Sequence, residues 1–332
     1  MACLRLFLIL SFVCCSTSVH AQPGKPKTAP EETLAPPEVK IAATVNAVPI
    51  FVAEVDREVR QVMRDTKMHP DTQKLLRAQA LQQLVDRVVI LSYLEKTDQG
   101  PSKQDIDLEV ERLSKQLKAV NKTLADQAKN LGLSAAGLRR QFAWHLAWTR
   151  SLQKSQSDEN VAKYFEKHRR DFDGTQIHAA HILFKVTPAG DPQALAAALD
   201  QAKRVRAEIA DKKLTFEQAA SKYSAAPTAS NGGDIGLIRR HEPMPETFSR
   251  TAFSLEKGAF SEPVVSAYGV HLVQCREIVP GKLTLSDVRA EVEQAMAQYL
   301  FSWLADRERP SAKIEFTGAV PHFKPGTQEF AP

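Results

Sequence analysis

The chain has 332 residues, enough for two ordinary domains, and its 25% charged and 43% hydrophobic residues are the usual balance of a soluble globular protein. The formal net charge is +5, with Lys and Arg interleaved with Asp and Glu throughout, which provides no concentrated basic surface for a nucleic acid. No run of about 18 apolar residues follows the N-terminus, so no membrane span is expected in the mature chain.

The first segment reads as a secretory signal. Arg5 supplies the positive end, Leu6 to Val13 the apolar core interrupted by Ser11, and Val19-His20-Ala21 the small residues before a cut after Ala21. The chain is therefore expected to be exported, to the periplasm or another extracytoplasmic space. Cys14 and Cys15 follow the apolar run, but Phe12 and Val13 are bulky where a lipobox wants small residues, which argues against a lipid anchor. Cys3, Cys14 and Cys15 leave with the signal, so the mature chain keeps Cys275 alone and its fold must rest on apolar burial rather than a disulfide. Cys275, among apolar neighbours, reads as a small buried hydrophobe. Residues 22–38 carry Pro23, Pro26, Pro30, Pro36 and Pro37 among Lys, Thr and Glu, a composition that reads as a disordered linker.

Lys40 to Asn46 and Val48 to Val52 predict two short strands across an Asn46-Ala47 turn, with a helix from Ala53. Leu76, Ala80, Leu84, Val88 and Leu91 recur at steps of three and four and predict a helix over Thr72 to Lys96, stopped by Gly100-Pro101. Ser102 caps the next helix, with Asp105 as an acidic capping-box partner and Ile106, Val110, Leu113 and Leu117 as its apolar stripe. Ser134 opens another helix carrying Leu138, Phe142, Leu146, Thr149 and Leu152, and Asp158 to His168 a further short one. His145, between Trp144 and Trp148, reads as helix packing.

The pattern changes at Gln176. Ile177 to Val186 predicts a strand, Gly190-Asp191-Pro192 opens a helix with Leu195, Leu199, Ala202, Val205 and Ile209 on one face, and Thr215 with Gln218 caps another. After a loop over Ser224 to Asp234 come a strand at Ile235 to Ile238, a helical turn or two at Pro245 to Phe253 and a closing strand at Val270 to Ile278. Thr284 to Arg307 is an amphipathic helix and Ala312 to Phe316 a last strand. A lone strand needs a partner, and the N-terminal hairpin is the one available. The fold class is thus α+β. The expected divisions are a signal at 1–21, a linker at 22–38, a mostly helical module at 39–174, an α+β domain at 175–280 with a small mainly antiparallel sheet, a helix and strand at 281–317 packing on the N-terminal module, and a tail at 318–332.

Three segments of the middle domain carry a resemblance. They are Ile177-His178-Ala179-Ala180-His181-Ile182-Leu183-Phe184-Lys185; Asn231-Gly232-Gly233-Asp234-Ile235-Gly236; and a third set comprising Met244-Pro245-Glu246-Thr247-Phe248, Ala252 to Gly258, Ser261-Glu262-Pro263-Val264 and Tyr268-Gly269-Val270-His271. In this order and spacing they resemble the parvulin family of peptidyl-prolyl cis/trans isomerases. Ala43 to Ile50 resembles the start of SurA-like and PrsA-like exported folding factors, which also end with a helix and strand rejoining the N-terminal module.

The resemblance implies that His181 and His271 form a hydrogen-bonded catalytic pair joined by the Ser266 hydroxyl. It implies a proline pocket lined by Ile235, Met244, Phe248 and Tyr268, with Phe253 behind. The residues are compatible with this: Met244 and Phe248 are four apart on one helical face, and an imidazole in an apolar strand needs a partner. His178 lies on the opposite face from His181 if the strand alternates, which argues against a shared metal. The implied partners are unfolded or extended proline-containing polypeptides. Rotation about X–Pro breaks no bond, so no metal or other cofactor is called for.

The sequence departs from the family at one point. The Asp or Cys usually found about seven residues before the glycine pair falls on Ala225 or, with one deletion, Ala226. That loss removes a polar partner from the histidines and bears on turnover more than on fold. It leaves a second reading open, a non-enzymatic holdase chaperone that keeps the parvulin domain only to bind peptides.

Overall fold

The computed structural model of the protein describes residues 40–63, 70–187, 191–241, 244–324, 327, 330 and 331. The expected signal and linker, with Cys14 and Cys15, lie outside them, as does Gly190. The described residues form two compact units, one of Asp158–Met296 and one of residues 40–157 and 297–331. The architecture is α+β, a mostly helical module opened by a hairpin and a parvulin-like domain with a small antiparallel sheet.

In the unit of residues 40–157 and 297–331, β1 (Ile41–Val45) and β2 (Val48–Phe51) form the expected hairpin, with Asn46 and Ala47 both at positive φ, 49° and 66°. Two successive left-handed residues give the turn the same twist as the strands it joins. Helices α1 (Val52–Met63), α2 (Pro70–Lys96), α3 (Lys103–Lys118), α4 (Leu124–Asn130) and α5 (Ala135–Ser155) follow. The capping box expected of Ser102 and Asp105 is present in both directions. The sequence reading passed over α4, seven residues long, although Thr123 and Asp126 give it the same box. The last strand, β7 (Ile314–Phe316), pairs antiparallel with β1, so the sheet order is β2-β1-β7 and the C-terminal segment completes the N-terminal module. Its core joins Ala43, Val45, Ile50, Val55, Leu81, Val85 and Val89. Val320 is 1% exposed in that same core, so the segment expected as a tail is anchored there by its apolar side chain. The ring of Phe301 stands nearly perpendicular to the stacked rings of Trp144 and Trp148.

The other unit starts earlier than the expected 175–280. Helices α6 (Asp158–Lys167) and α7 (Arg169–Phe172), which the sequence reading grouped with the N-terminal helices, belong to it, because Val161 and Phe165 are covered by Val288 and Val292 of α11 (Leu285–Glu308). Its sheet has the order β4-β3-β6-β5, with neighbours antiparallel: β3 (Gln176–Phe184), β4 (Asp234–Arg239), β5 (Val264–Ser266) and β6 (Gly269–Val279). Alternation sorts the strands onto two faces. Ala180, Ile182 and Phe184 of β3 and Val270 and Leu272 of β6 pack under α8 (Pro192–Ala210) and α9 (Phe216–Tyr223). Ile177 and Ala179, with Val273 and Cys275, pack under α10 (Glu246–Ser254) through Phe248, Ala252 and Phe253. Thr215 and Gln218 make the capping box that starts α9.

The turn before β4 passes so close to β3 that it has no room for a side chain. Gly233 accepts the His181 N–H at 2.8 Å, sits at φ 75°, and a Cβ there would fall 2.3 Å from the His181 carbonyl oxygen. Gly233→Ala therefore combines a left-handed backbone with a clash at the strand that carries His181. It is expected to cost about 3 kcal/mol or more, read as a lowered urea midpoint for the intact chain.

Candidate functional site

The two histidines lie on the face covered by α10. In the β3–β6 ladder His181 is paired with Val273 and His271 with Leu183, so the imidazoles are diagonal neighbours across adjacent strands. They meet: the Nδ1 atoms are 3.2 Å apart and the rings are nearly parallel, 19° between planes. Ser266, on edge strand β5, places its Oγ 2.7 Å from Nε2 of His271 and accepts the Tyr268 N–H at 3.0 Å. Phe248 is 1% exposed and stands edge-on to both imidazoles, with ring centroids 5.7 Å from His181 and 5.5 Å from His271.

Burial sets the electrostatics. It lowers the pKa of His181 below the ordinary imidazole value, and it takes His271, with the adjacent His181 adding to the effect, down to about 4. Both rings are neutral at neutral pH. Two proton orders satisfy the chain: the Ser266 hydroxyl donates to His271 Nε2 and His271 Nδ1–H to His181 Nδ1, leaving the proton of His181 on Nε2, or both bonds run the other way. Among the described residues Nε2 of His181 has no protein partner, so the first order leaves an N–H donor at the half-buried end of the chain.

The other expected residues divide. Ile235 and Met244 are half-buried and pack with Phe248 and Phe253 in one apolar cluster. Phe253 is 4% exposed and lies among Ala252, Val273 and Cys275 as core. Tyr268 is 67% exposed, joined to the site through its backbone N–H on Ser266. His178 faces away from the pair, as alternation predicts, and bonds Asp234 at 2.9 Å. The Asp234 carboxyl is held below its ordinary range: burial opposes ionisation, but the Gly236 N–H, His178 and Arg276 outweigh it. This network pins the glycine turn against His181. Among the described residues no group of three or more His, Cys, Asp or Glu is placed to hold a metal ion.

At the departure from the family pattern, the loop is tied to β3. Ala225 donates its N–H to Leu183 O at 2.8 Å, and Ser224 Oγ accepts the N–H of Leu183 at 3.0 Å and of Ala226 at 3.2 Å. Ala225 is exposed and Ala226 buried. The sequence reading missed Ser224, whose role rests on backbone contacts that carry no motif. It also missed Arg240, a charged residue in a loop that nothing in the pattern separates from an ordinary solvated one.

Residues 181–277 match the family model for rotamase, the PPIC-type PPIase domain. The chain is similar to chaperone SurA of Chromohalobacter salexigens, 26% identical over 281 residues that cover 82% of this chain and 62% of that one. It is also similar to foldase protein PrsA of Bacillus subtilis, 33% identical over 125 residues, 36% of this chain and 35% of that one. The chain thus spans no more than about three fifths of these curated relatives. Among solved structures, peptidylprolyl isomerase PrsA from Bacillus anthracis is 21% identical, with 70% of this chain and 96% of that chain covered and a TM-score of 0.35. The chain carries a PPIC-type parvulin domain.

The neutral pair makes stability depend on pH. His271 has a folded-state value of about 4 against about 6.5 when unfolded, so the unfolded chain binds the extra proton first. Stability from this group is complete above about pH 6.5 and falls as pH drops towards 4, by on the order of 3 kcal/mol. Urea unfolding at pH 7 and pH 4.5 is expected to show this loss, and H271Q to flatten the dependence over the same window. An equal pH dependence in H271Q would exclude His271 as its source.

Proposed function

We propose that the protein is an exported folding factor whose parvulin domain is a peptidyl-prolyl cis/trans isomerase acting on unfolded, proline-containing chains. One observation carries the reading: a neutral, desolvated His181–His271–Ser266 chain set against the Phe248 ring, inside a domain of the rotamase type. Similarity to SurA and PrsA supports the folding role and the extracytoplasmic location. The assignments of a signal at 1–21 and a linker at 22–38 belong to the same proposal, as does an isomerase domain at 175–280 within the unit of residues 158–296.

Rotation about a peptide bond has a barrier of about 18–20 kcal/mol, and for X–Pro the uncatalysed exchange takes tens to hundreds of seconds. The catalyst must bind the twisted amide better than either planar form. Phe248, Met244 and Ile235 form the apolar seat for the pyrrolidine ring, and Phe253 supports it from the core. A dry seat strips water from the amide carbonyl and so weakens the resonance that keeps the bond planar. The His181 Nε2–H is the donor best placed to meet the oxygen or nitrogen of the amide as it twists, and it needs no reorganisation because His271 and Ser266 already fix its ring. Tyr268, exposed beside Ser266, contacts the peptide flanking the proline.

A second reading, a holdase that uses the domain only to bind peptides, is favoured by Ala225 and Ala226, which leave neither an acid nor a thiol at either of the two positions that match the family's Asp or Cys. A protease-coupled assay on a proline tetrapeptide, run with the mature chain from Gln22, separates the two. The isomerase reading expects acceleration by the wild type and a fall of about ten- to hundredfold in kcat/KM for H181A and for F248A. No acceleration at micromolar protein, with client aggregation still suppressed by an H181A/H271A variant, would leave the holdase.

A further inference from the structure

A part-buried arginine outside the motifs braces the start of the helix that carries Phe248. Arg240 follows β4 directly, and its side chain is 11% exposed. Nη1 and Nη2 donate to the two carboxylate oxygens of Glu246 at 2.7 and 2.8 Å, and Nε donates to Asp171 of α7 at 2.8 Å. A two-pronged guanidinium–carboxylate contact fixes direction as well as distance. Glu246 begins α10, two residues after Met244 and two before Phe248. Arg250, one turn on, bonds the same Glu246 oxygen Oε1 through Nε and Nη2 at 3.3 and 3.1 Å.

Resting on the isomerase reading, we propose that Arg240 is a positioning residue for that site, holding Met244 and Phe248 at the proline seat through Glu246 and anchoring them to Asp171. Three features support this. The contact ties the end of β4, which also carries Ile235, to the start of α10, which carries Phe248, so two of the three seat residues lie on elements that one guanidinium joins and the third, Met244, lies between them in the chain. Second, Glu246 sits in the first turn of α10, where the positive end of the helix dipole favours a carboxylate, so the contact also fixes the helix start. Finally, Asp171 precedes residue 181, where the rotamase match begins, and the brace thus recruits α7, a helix outside the matched domain, to the geometry of the site. Arg170 reinforces the same helix by donating to Leu255 O at 3.2 Å and to Glu256. A buried guanidinium left without its carboxylates would cost too much to stay in place, so loss of Glu246 or Asp171 displaces Arg240 as well.

The test reads the seat directly as well as catalysis. The chain has five methionines, Met1, Met63, Met68, Met244 and Met296, so the methyl signal of Met244 can be assigned in 13C-methyl-methionine spectra by M244L. In full-length R240Q, E246Q and R240K the Met244 methyl is expected to shift or broaden while the Met296 methyl stays in place. KM for a proline peptide should rise about tenfold or more, with kcat changed less, and D171N should give the smaller effect in the same direction. R240K keeps the charge but loses the fork, so its failure to restore KM distinguishes geometry from charge. An unmoved Met244 methyl in folded R240Q and E246Q, or a moved methyl with unchanged KM, would overturn the proposal. Should the wild type prove to be a binder without turnover, the same comparison is made on the dissociation constant of the proline peptide, where a tenfold weakening is expected and an unchanged value overturns it.

Discussion

The site depends on keeping two imidazoles neutral in an apolar layer. With Nδ1 facing Nδ1 at 3.2 Å, one proton between the rings makes a hydrogen bond, whereas a proton on each makes a repulsive contact. Burial enforces the first state by making a charged ring costly, and the neighbour's own charge would make it costlier. The requirement reaches well beyond the pair. The strands must put His181 and His271 on the same face at diagonal register, which needs Ala179, Val273 and Cys275 to bury that face beneath α10. The edge strand must bring Ser266 to the far nitrogen of His271. Gly233 must let the turn before β4 close on the His181 backbone. A neutral pair is thus the product of the whole sheet.

Two layers of polar contacts hold that sheet from opposite sides. On one, Asp234 gathers His178, Arg276 and the Gly236 N–H and so fixes the glycine turn. On the other, Arg240 gathers Glu246 and Asp171 and fixes the start of α10. Both are part-buried, where removing one partner of an ion pair leaves the other uncompensated, which makes such clusters resistant to small rearrangements. The polar residues around this domain accordingly act on direction and distance at its apolar centre.

Much of this was legible in the sequence because local rules decided it. Alternation along Ile177 to Phe184 placed His181 and His178 on opposite faces. The capping residues Ser102, Ser134 and Thr215 marked helix starts, and Asn46-Ala47 marked the first hairpin. The rest escaped for physical reasons. Strand β5 is three residues long, too short to show a period, and it acquires its meaning by pairing with β6. Helix α6 has a clear apolar stripe, but periodicity says which face of a helix is covered and not by what, and the covering residues, Val288 and Val292, come about 130 positions later. Val320 follows Gly318 in a segment of tail-like composition, and one apolar side chain was enough to anchor it. Arg240 could not be told from a solvated arginine until Asp171 and Glu246 were seen to converge on it.

The alanines at positions 225 and 226, one of which stands where the family carries its Asp or Cys, bear on chemistry through the same constraint. A carboxylate beside the pair would favour a charged imidazole and raise its pKa. In its absence every polar contact of His271 is still met, by Ser266 on Nε2 and His181 on Nδ1, and the loop that would have carried the acid is held to β3 by Ser224 and Ala225 through backbone contacts alone. The acid is therefore dispensable for satisfying the hydrogen bonds of the resting site. What its loss changes is charge: no acid offsets the burial that takes His271 down to about 4 and lowers His181. A mechanism that twists an amide by desolvation and a neutral donor is compatible with that site, whereas one that relies on an imidazolium finds no carboxylate hydrogen-bonded to these rings among the described residues.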